Sequence, residues 1–92
     1  GTIGGGGNNV ILAGSRYATI GGGGFNRASG FGATVAGGGG VHIVGENAGN
    51  TAGALWSTVS GGALNAALGT NSTVGGGSYN VARGESATIP GA

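Results

Sequence analysis

The stretch Ala33-Thr34-Val35-Ala36-Gly37-Gly38 returns in altered form along the whole chain. Its relatives are Thr2-Ile3-Gly4-Gly5, Ala18-Thr19-Ile20-Gly21-Gly22, Ser57-Thr58-Val59-Ser60-Gly61-Gly62, Ser72-Thr73-Val74-Gly75-Gly76 and Ala87-Thr88-Ile89-Pro90-Gly91. Aligned on the threonine, the copies start at Thr2, Thr19, Thr34, Thr58, Thr73 and Thr88, with spacings of 17, 15, 24, 15 and 15 residues. The unit is therefore 15 residues, with 2 extra in the first copy and 9 extra in the third. A fixed period of this kind marks a solenoid whose insertions emerge as loops.

The regular units share the frame T-[VI]-x-G-G-x-x-N-x-A-x-G-x-x-[AS], numbered 1 to 15 from the threonine. Fifteen residues are too few for a helical repeat, and glycine is a poor helix former. They suit two short strands and two corners, one coil of a parallel β-roll or β-helix. Side chains alternate faces along a strand. The β-branched residues Ile3, Ile20, Val35, Val59, Val74 and Ile89 therefore form the repeat core, beside the small residues Ala18, Ala33, Ser57, Ser72 and Ala87. The second strand holds N-x-A-x-G, with Ala28, Ala67 and Ala82 pointing in.

The glycine pairs fit corners that need positive φ or close backbone approach. Asn26, Asn65 and Asn80 read as turn residues that tolerate the left-handed region and bond local backbone. Stacked coils place them in an asparagine ladder. Pro90 stands where other coils have Gly4, Gly21, Ala36, Ser60 and Gly75. Proline cannot donate to a ladder, so either that N–H is not needed or the roll ends there. The extra residues of the first coil fall near Val10-Ile11-Leu12, and the insertion of the third near 41–54.

Composition bounds the rest. The 92 residues form one β-roll repeat domain, 1–92, or a fragment of a longer array. Beginning at Gly1 and not Met, the chain reads as processed, excised or partial. Glycine numbers 27, but it is positioned by the repeat, unlike the glycine of a low-complexity chain. A net charge of +1, with no lysine and no aspartate, gives no electrostatic footprint for nucleic acid or an anionic membrane. Neither is expected as a partner, and no apolar run is long enough to span a membrane. No cysteine is present, so no disulfide or thiolate site forms. Only 21 residues are large and apolar, a thin core for this length, so an assembly is expected in place of a free monomer.

The residues that carry chemistry are few. The glycine runs 21–24 and 37–40 lack the G-K-[ST] of a phosphate loop. His42 with Glu46 and Glu85 is poor material for a metal site or a triad, so no catalytic residue, metal or cofactor is expected. Asn71-Ser72-Thr73 matches a glycosylation sequon by chance. Phe25, Leu64 and Tyr79 share position 7, an apolar stripe that suits a contact between chains better than a ligand platform. The threonine column raises ice binding, although only one threonine per coil repeats and threonine also has good strand propensity. The third coil holds the only His and the only Trp. Val41, His42, Glu46 and Trp56 are therefore the candidate ligand-contact residues.

The A-T-[VI]-G-G-G-x-x-N-x-A-x-G pattern resembles the head repeats of trimeric autotransporter adhesins and the glycine-rich repeats of related bacterial and phage fibre proteins. The resemblance covers essentially the whole chain. It implies a left-handed parallel β-roll, three chains with hydrophobic faces at a common axis, and a place on a cell surface or virion fibre. It further implies attachment to host glycans or matrix proteins. The chain departs from the better-known adhesin heads in its longer unit and its glycine runs, so no ligand-binding residues carry over. The function expected is a structural and adhesive module of an extracellular or virion fibre. Ice binding through the threonine column and end-to-end filament assembly are the alternatives.

Overall fold

The computed structural model describes residues 1–40 and 49–91. It is an all-β solenoid of about five turns. Its strands are two residues long: β1 (Thr2–Ile3), β2 (Val10–Ile11), β3 (Thr19–Ile20), β4 (Arg27–Ala28), β5 (Thr34–Val35), β6 (Thr51–Ala52), β7 (Thr58–Val59), β8 (Ala66–Ala67), β9 (Thr73–Val74), β10 (Val81–Ala82) and β11 (Thr88–Ile89). The odd strands form one six-stranded sheet and the even strands a five-stranded sheet, each in chain order. All pairings are parallel, and the threonines align Thr2, Thr19, Thr34, Thr58, Thr73, Thr88.

The register follows from what each position must bury. Ile20, Val35, Val59 and Val74 are fully buried, facing Ala28, Ala52, Ala67 and Ala82 across a dry interior. Ala18, Ala33, Ser57 and Ser72 complete the inner face of the first sheet. Small residues opposite β-branched ones bring the sheets close together, and the molecule measures 34 × 29 × 15 Å. A slip of one residue would send the threonines inward and the valines out, so burial fixes the pairing. The buried serines are satisfied locally: the Ser57 hydroxyl donates to the Ala54 carbonyl (2.7 Å) and accepts from its N–H (3.1 Å). The expected core residues Ile3 and Ile89 lie on the end strands. Ile89 is half-buried against the core, whereas Ile3 is 44 % exposed because no coil covers it.

The asparagines form a continuous internal ladder. The backbone N–H groups of Asn26, Asn50, Asn65 and Asn80 each donate to the Oδ1 of the asparagine one coil earlier, at 2.9–3.0 Å. The carboxamide Nδ2 of each of Asn9, Asn26 and Asn65 donates to glycine carbonyls of its own coil and of the next. The expected asparagine ladder is present, but Asn26, Asn65 and Asn80 are not themselves in the left-handed region. The positive φ falls one residue earlier, on Asn8, Phe25, Leu64 and Tyr79 (57–59°). The asparagine itself turns inward and supplies the polar partners that the tight corner carbonyls need. Asn9 and Asn50 belong to the same column.

Register also relocates both insertions. Val10–Ile11 pairs with Arg27–Ala28, so these residues are regular strand and not extra. The two extra residues of the first coil are Ala13 and Gly14. Ser15 takes the place of Gly30, Gly69 and Gly84, its carbonyl accepting from Ala18 as theirs accept from Ala33, Ser72 and Ala87. In the third coil, Thr51–Ala52 pairs with Arg27–Ala28 on one side and Ala66–Ala67 on the other. The coil is therefore regular from Asn50 onward, and the expected insertion near 41–54 is too long. Gly40 still donates to Gly24 as Phe25 does to Gly7, which confines the nine extra residues to 41–49.

Candidate functional site: an aromatic corner

The corner after the second strand brings positions 13 and 14 of successive coils into line. The N–H of each position-14 residue donates to the position-13 carbonyl of the coil before: Gly32 to Arg16, Trp56 to Phe31, Asn71 to Leu55 and Ser86 to Thr70, at 2.7–2.9 Å. These bonds hold Gly32, Trp56, Asn71 and Ser86 in the left-handed region, which Tyr17 shares, with φ between 56 and 67°. For a bulky side chain that conformation costs on the order of 1–2 kcal/mol. It turns the side chain outward from the corner, away from the core.

Three of the five aromatic rings meet here. Tyr17 and Phe31 pack edge to face with centroids 5.5 Å apart, and Phe31 and Trp56 do the same at 5.4 Å. Gly32 makes room for the array. A Cβ at Gly32 would run into the Trp56 ring, so the indole lies directly over a residue without a side chain. The rings are ordered against one another and still open to solvent: Tyr17 is 74 % exposed and Trp56 50 %. Leu55 extends the apolar surface, Arg16 and Asn71 flank it, and all three are exposed. The arrangement offers rigid π surface with hydrogen-bonding groups at its margins, suited to stacking against a flat, partly apolar ligand.

Of the four residues expected to contact a ligand, Trp56 lies at this corner. Val41, His42 and Glu46 fall outside the described residues. Tyr17 and Phe31 were missed, although the frame contained them. Once Ala13-Gly14 is recognised as the extra pair, Tyr17 falls at position 14 beside Trp56, and Phe31 at position 13 between them. The position-7 stripe is less continuous: Phe25 and Leu64 are half-buried, Tyr79 is exposed, and Gly49 precedes the third ladder asparagine.

The two sheets present different outer surfaces. The six-stranded sheet shows the threonine column, half-buried at Thr19, Thr34, Thr58 and Thr73 and exposed at Thr2 and Thr88, beside exposed Gly4, Gly21, Ala36, Ser60, Gly75 and Pro90, a flat face of small residues. The five-stranded sheet shows Val10, Leu12, Ala66, Leu68 and Val81, interrupted by Arg27, Ser29, Thr51 and Arg83. Among the described residues no three metal-ligating side chains come together. Comparison with family models, curated proteins and solved structures returns no match for this chain.

Proposed function

We propose that the chain is a structural and adhesive module of an extracellular or virion fibre, with three copies side by side and corners that present contact residues. The observation that carries this reading is the aromatic corner. Bulky rings are held outward at a backbone cost on a scaffold otherwise built from small residues, and strain of that kind is retained where it serves a contact. The outer face of the five-stranded sheet supports the trimer. Its exposed Val10, Leu68 and Val81 are the apolar surface that a thin two-sheet core leaves for a partner chain. Ice binding is the weaker reading, because only one hydroxyl column, that of the threonines, repeats along the flat face.

Two measurements test the proposal. Mass in solution is expected to be three times that of the chain and independent of concentration across the micromolar range; a stable monomer removes the trimer. Trp56→Ala is expected to cut attachment to a glycan or matrix-protein surface at least about tenfold, the 1.4 kcal/mol scale of one stacked ring. The thermal midpoint should shift by no more than about 5 °C, since half the ring is already in water. Attachment unchanged in Trp56→Ala would remove the corner from the contact.

A further inference from the structure

Position 14 of the frame is followed in every coil by a small residue and then by the threonine of the next coil: Tyr17-Ala18-Thr19, Gly32-Ala33-Thr34, Trp56-Ser57-Thr58, Asn71-Ser72-Thr73 and Ser86-Ala87-Thr88. An asparagine at position 14 therefore completes the N-x-[ST] acceptor tripeptide of N-glycosylation. Only the fourth coil has one, and in the sequence that is a coincidence of the frame. The structure sets Asn71 apart on different grounds.

Among the eight asparagines only Asn71 has a hydroxyl residue two positions on. The ladder asparagines turn inward and commit Nδ2 to glycine carbonyls. Asn71 is exposed, and its φ of 59° turns the carboxamide out from the corner. Its backbone N–H donates to the Leu55 carbonyl at 2.9 Å, and a substituent on Nδ2 leaves that bond in place. The position-14 neighbour one coil earlier is Trp56, in the same conformation at φ 56°. The two side chains therefore leave the corner in the same direction, about 4.8 Å apart. The indole leans over Gly32, in the coil before its own, and its ring contacts run to Phe31 and through it to Tyr17. Half of the indole is open to water, with an exposed asparagine and no ring as its position-14 neighbour in the next coil.

We propose that Asn71 is an N-glycan acceptor and that the Trp56 indole is the platform on which the first sugar packs. The donor is an oligosaccharide carried on a polyprenyl diphosphate. Asn71 Nδ2 attacks the anomeric C1, the C1–O bond to the diphosphate breaks, Nδ2 loses one proton, and the polyprenyl diphosphate leaves. A β-linked N-acetylhexosamine presents a face of C–H bonds and an acetamide methyl, which match an apolar ring with a polar margin. Ser72 is fully buried and Asn71 is locked in the left-handed region, so the tripeptide cannot lie extended in an enzyme cleft once the fourth coil has closed. Transfer takes place on the unfolded chain, and the closed coil then carries the bulky group on its surface. The inference is independent of the attachment reading, which concerns the bare corner.

The test compares the full chain passed through a eukaryotic secretory pathway with the same chain made in a host without the transferase. The secreted chain is expected to gain the mass of one oligosaccharide, and Thr73→Val, which keeps a β-branched strand residue, to abolish the gain. An endoglycosidase then trims the glycan to its first sugar. Trp56 is the only tryptophan, so its emission reports this site alone. The one-sugar chain is expected to show acrylamide quenching reduced about twofold and a thermal midpoint raised by about 3 °C. In Trp56→Ala the rise should fall below about 1 °C. A secreted chain without added mass, or added mass that survives Thr73→Val, overturns the acceptor. A glycosylated chain that does not fold overturns the outward placement. Quenching equal to that of the bare chain, or an equal rise without Trp56, overturns the platform.

Discussion

Gly62→Ala is expected to destabilise the fold by roughly 4–6 kcal/mol, while Gly61→Ala, one residue earlier, changes stability by about 0.5 kcal/mol or less. Gly62 sits at position 5 with φ +82°, and a Cβ there would meet the Gly77 carbonyl oxygen of the next coil head on, with Asn65 Nδ2 2.8 Å away. That carbonyl accepts from the Ala63 N–H and from Asn65 Nδ2. Moving it aside breaks both bonds, one of them to the buried Asn65 carboxamide, at about 1–3 kcal/mol for each group left unsatisfied. Left-handed strain on alanine adds about 1–2 kcal/mol. Against a total of about 5–15 kcal/mol for a domain, one methyl group removes a large share. At Gly61 a Cβ meets nothing within 4 Å and φ is not in the left-handed range, so alanine there even restricts the unfolded chain. Denaturant unfolding of the two variants checks the contrast, and equal midpoints would show that close coil approach does not set the glycine requirement. The same geometry recurs at Gly6, Gly23 and Gly38, with φ of 80–84° in each.

That contrast marks what the amino-acid sequence makes legible. A 15-residue recurrence of threonine, β-branched residue and glycine is enough to place Val35, Val59 and Val74 inside and the threonines outside, because burial and strand alternation leave one solution. It also gives coil stacking, since a two-residue strand has no stability of its own and must pair with its copies. The recurrence does not distinguish which glycine of a run needs positive φ. Gly61 and Gly62 look alike until the next coil's carbonyl is placed beside one of them. It gives the ladder of Asn26, Asn65 and Asn80 but not whether these residues also take the left-handed conformation, since both are open to asparagine. The choice falls to the corner carbonyls, which need donors. The site suffers for a related reason. Tyr17 and Phe31 occupy different frame positions, and a two-residue insertion shifts Tyr17 further. Their convergence on Trp56 is a product of corner geometry in three coils and not of any local motif. The unusual residues of the third coil drew attention to His42 and Glu46, while the rings beside Trp56 belong to the two coils before it.

The asparagine ladder gives the second large effect, and its size should depend on place. Asn65→Leu keeps the side-chain volume but deletes every carboxamide contact. The Asn65 Oδ1 accepts from the Asn80 backbone N–H (3.0 Å) and Nδ2 (3.1 Å), and Nδ2 donates to the carbonyls of Gly61 (2.9 Å) and Gly77 (2.8 Å). Asn65 is 1 % exposed, so the stranded partners are shielded from water, and the loss is expected at about 3–6 kcal/mol. Asn9→Leu removes the equivalent groups at the open end, where the residue is half-buried and water substitutes. Its cost should be about 1–2 kcal/mol. Equal losses at Asn9 and Asn65 would show that the ladder works through side-chain volume and not through buried polar satisfaction. Asn65→Asp separates the two further. A carboxylate retains an acceptor for the Asn80 N–H but turns negative oxygen toward the Gly61 and Gly77 carbonyls in a dry interior. Burial and those carbonyls favour the neutral acid, so the folded-state pKa lies above the unfolded one. The folded state then binds the extra proton, and stability is greatest below the unfolded carboxyl pKa and falls as pH rises through the folded one. Asn65→Asp should therefore melt higher in acid than at neutral pH, relative to the parent chain at each pH. A flat difference across that range would mean that the carboxylate finds water, which the sealed column between Asn50 and Asn80 does not provide.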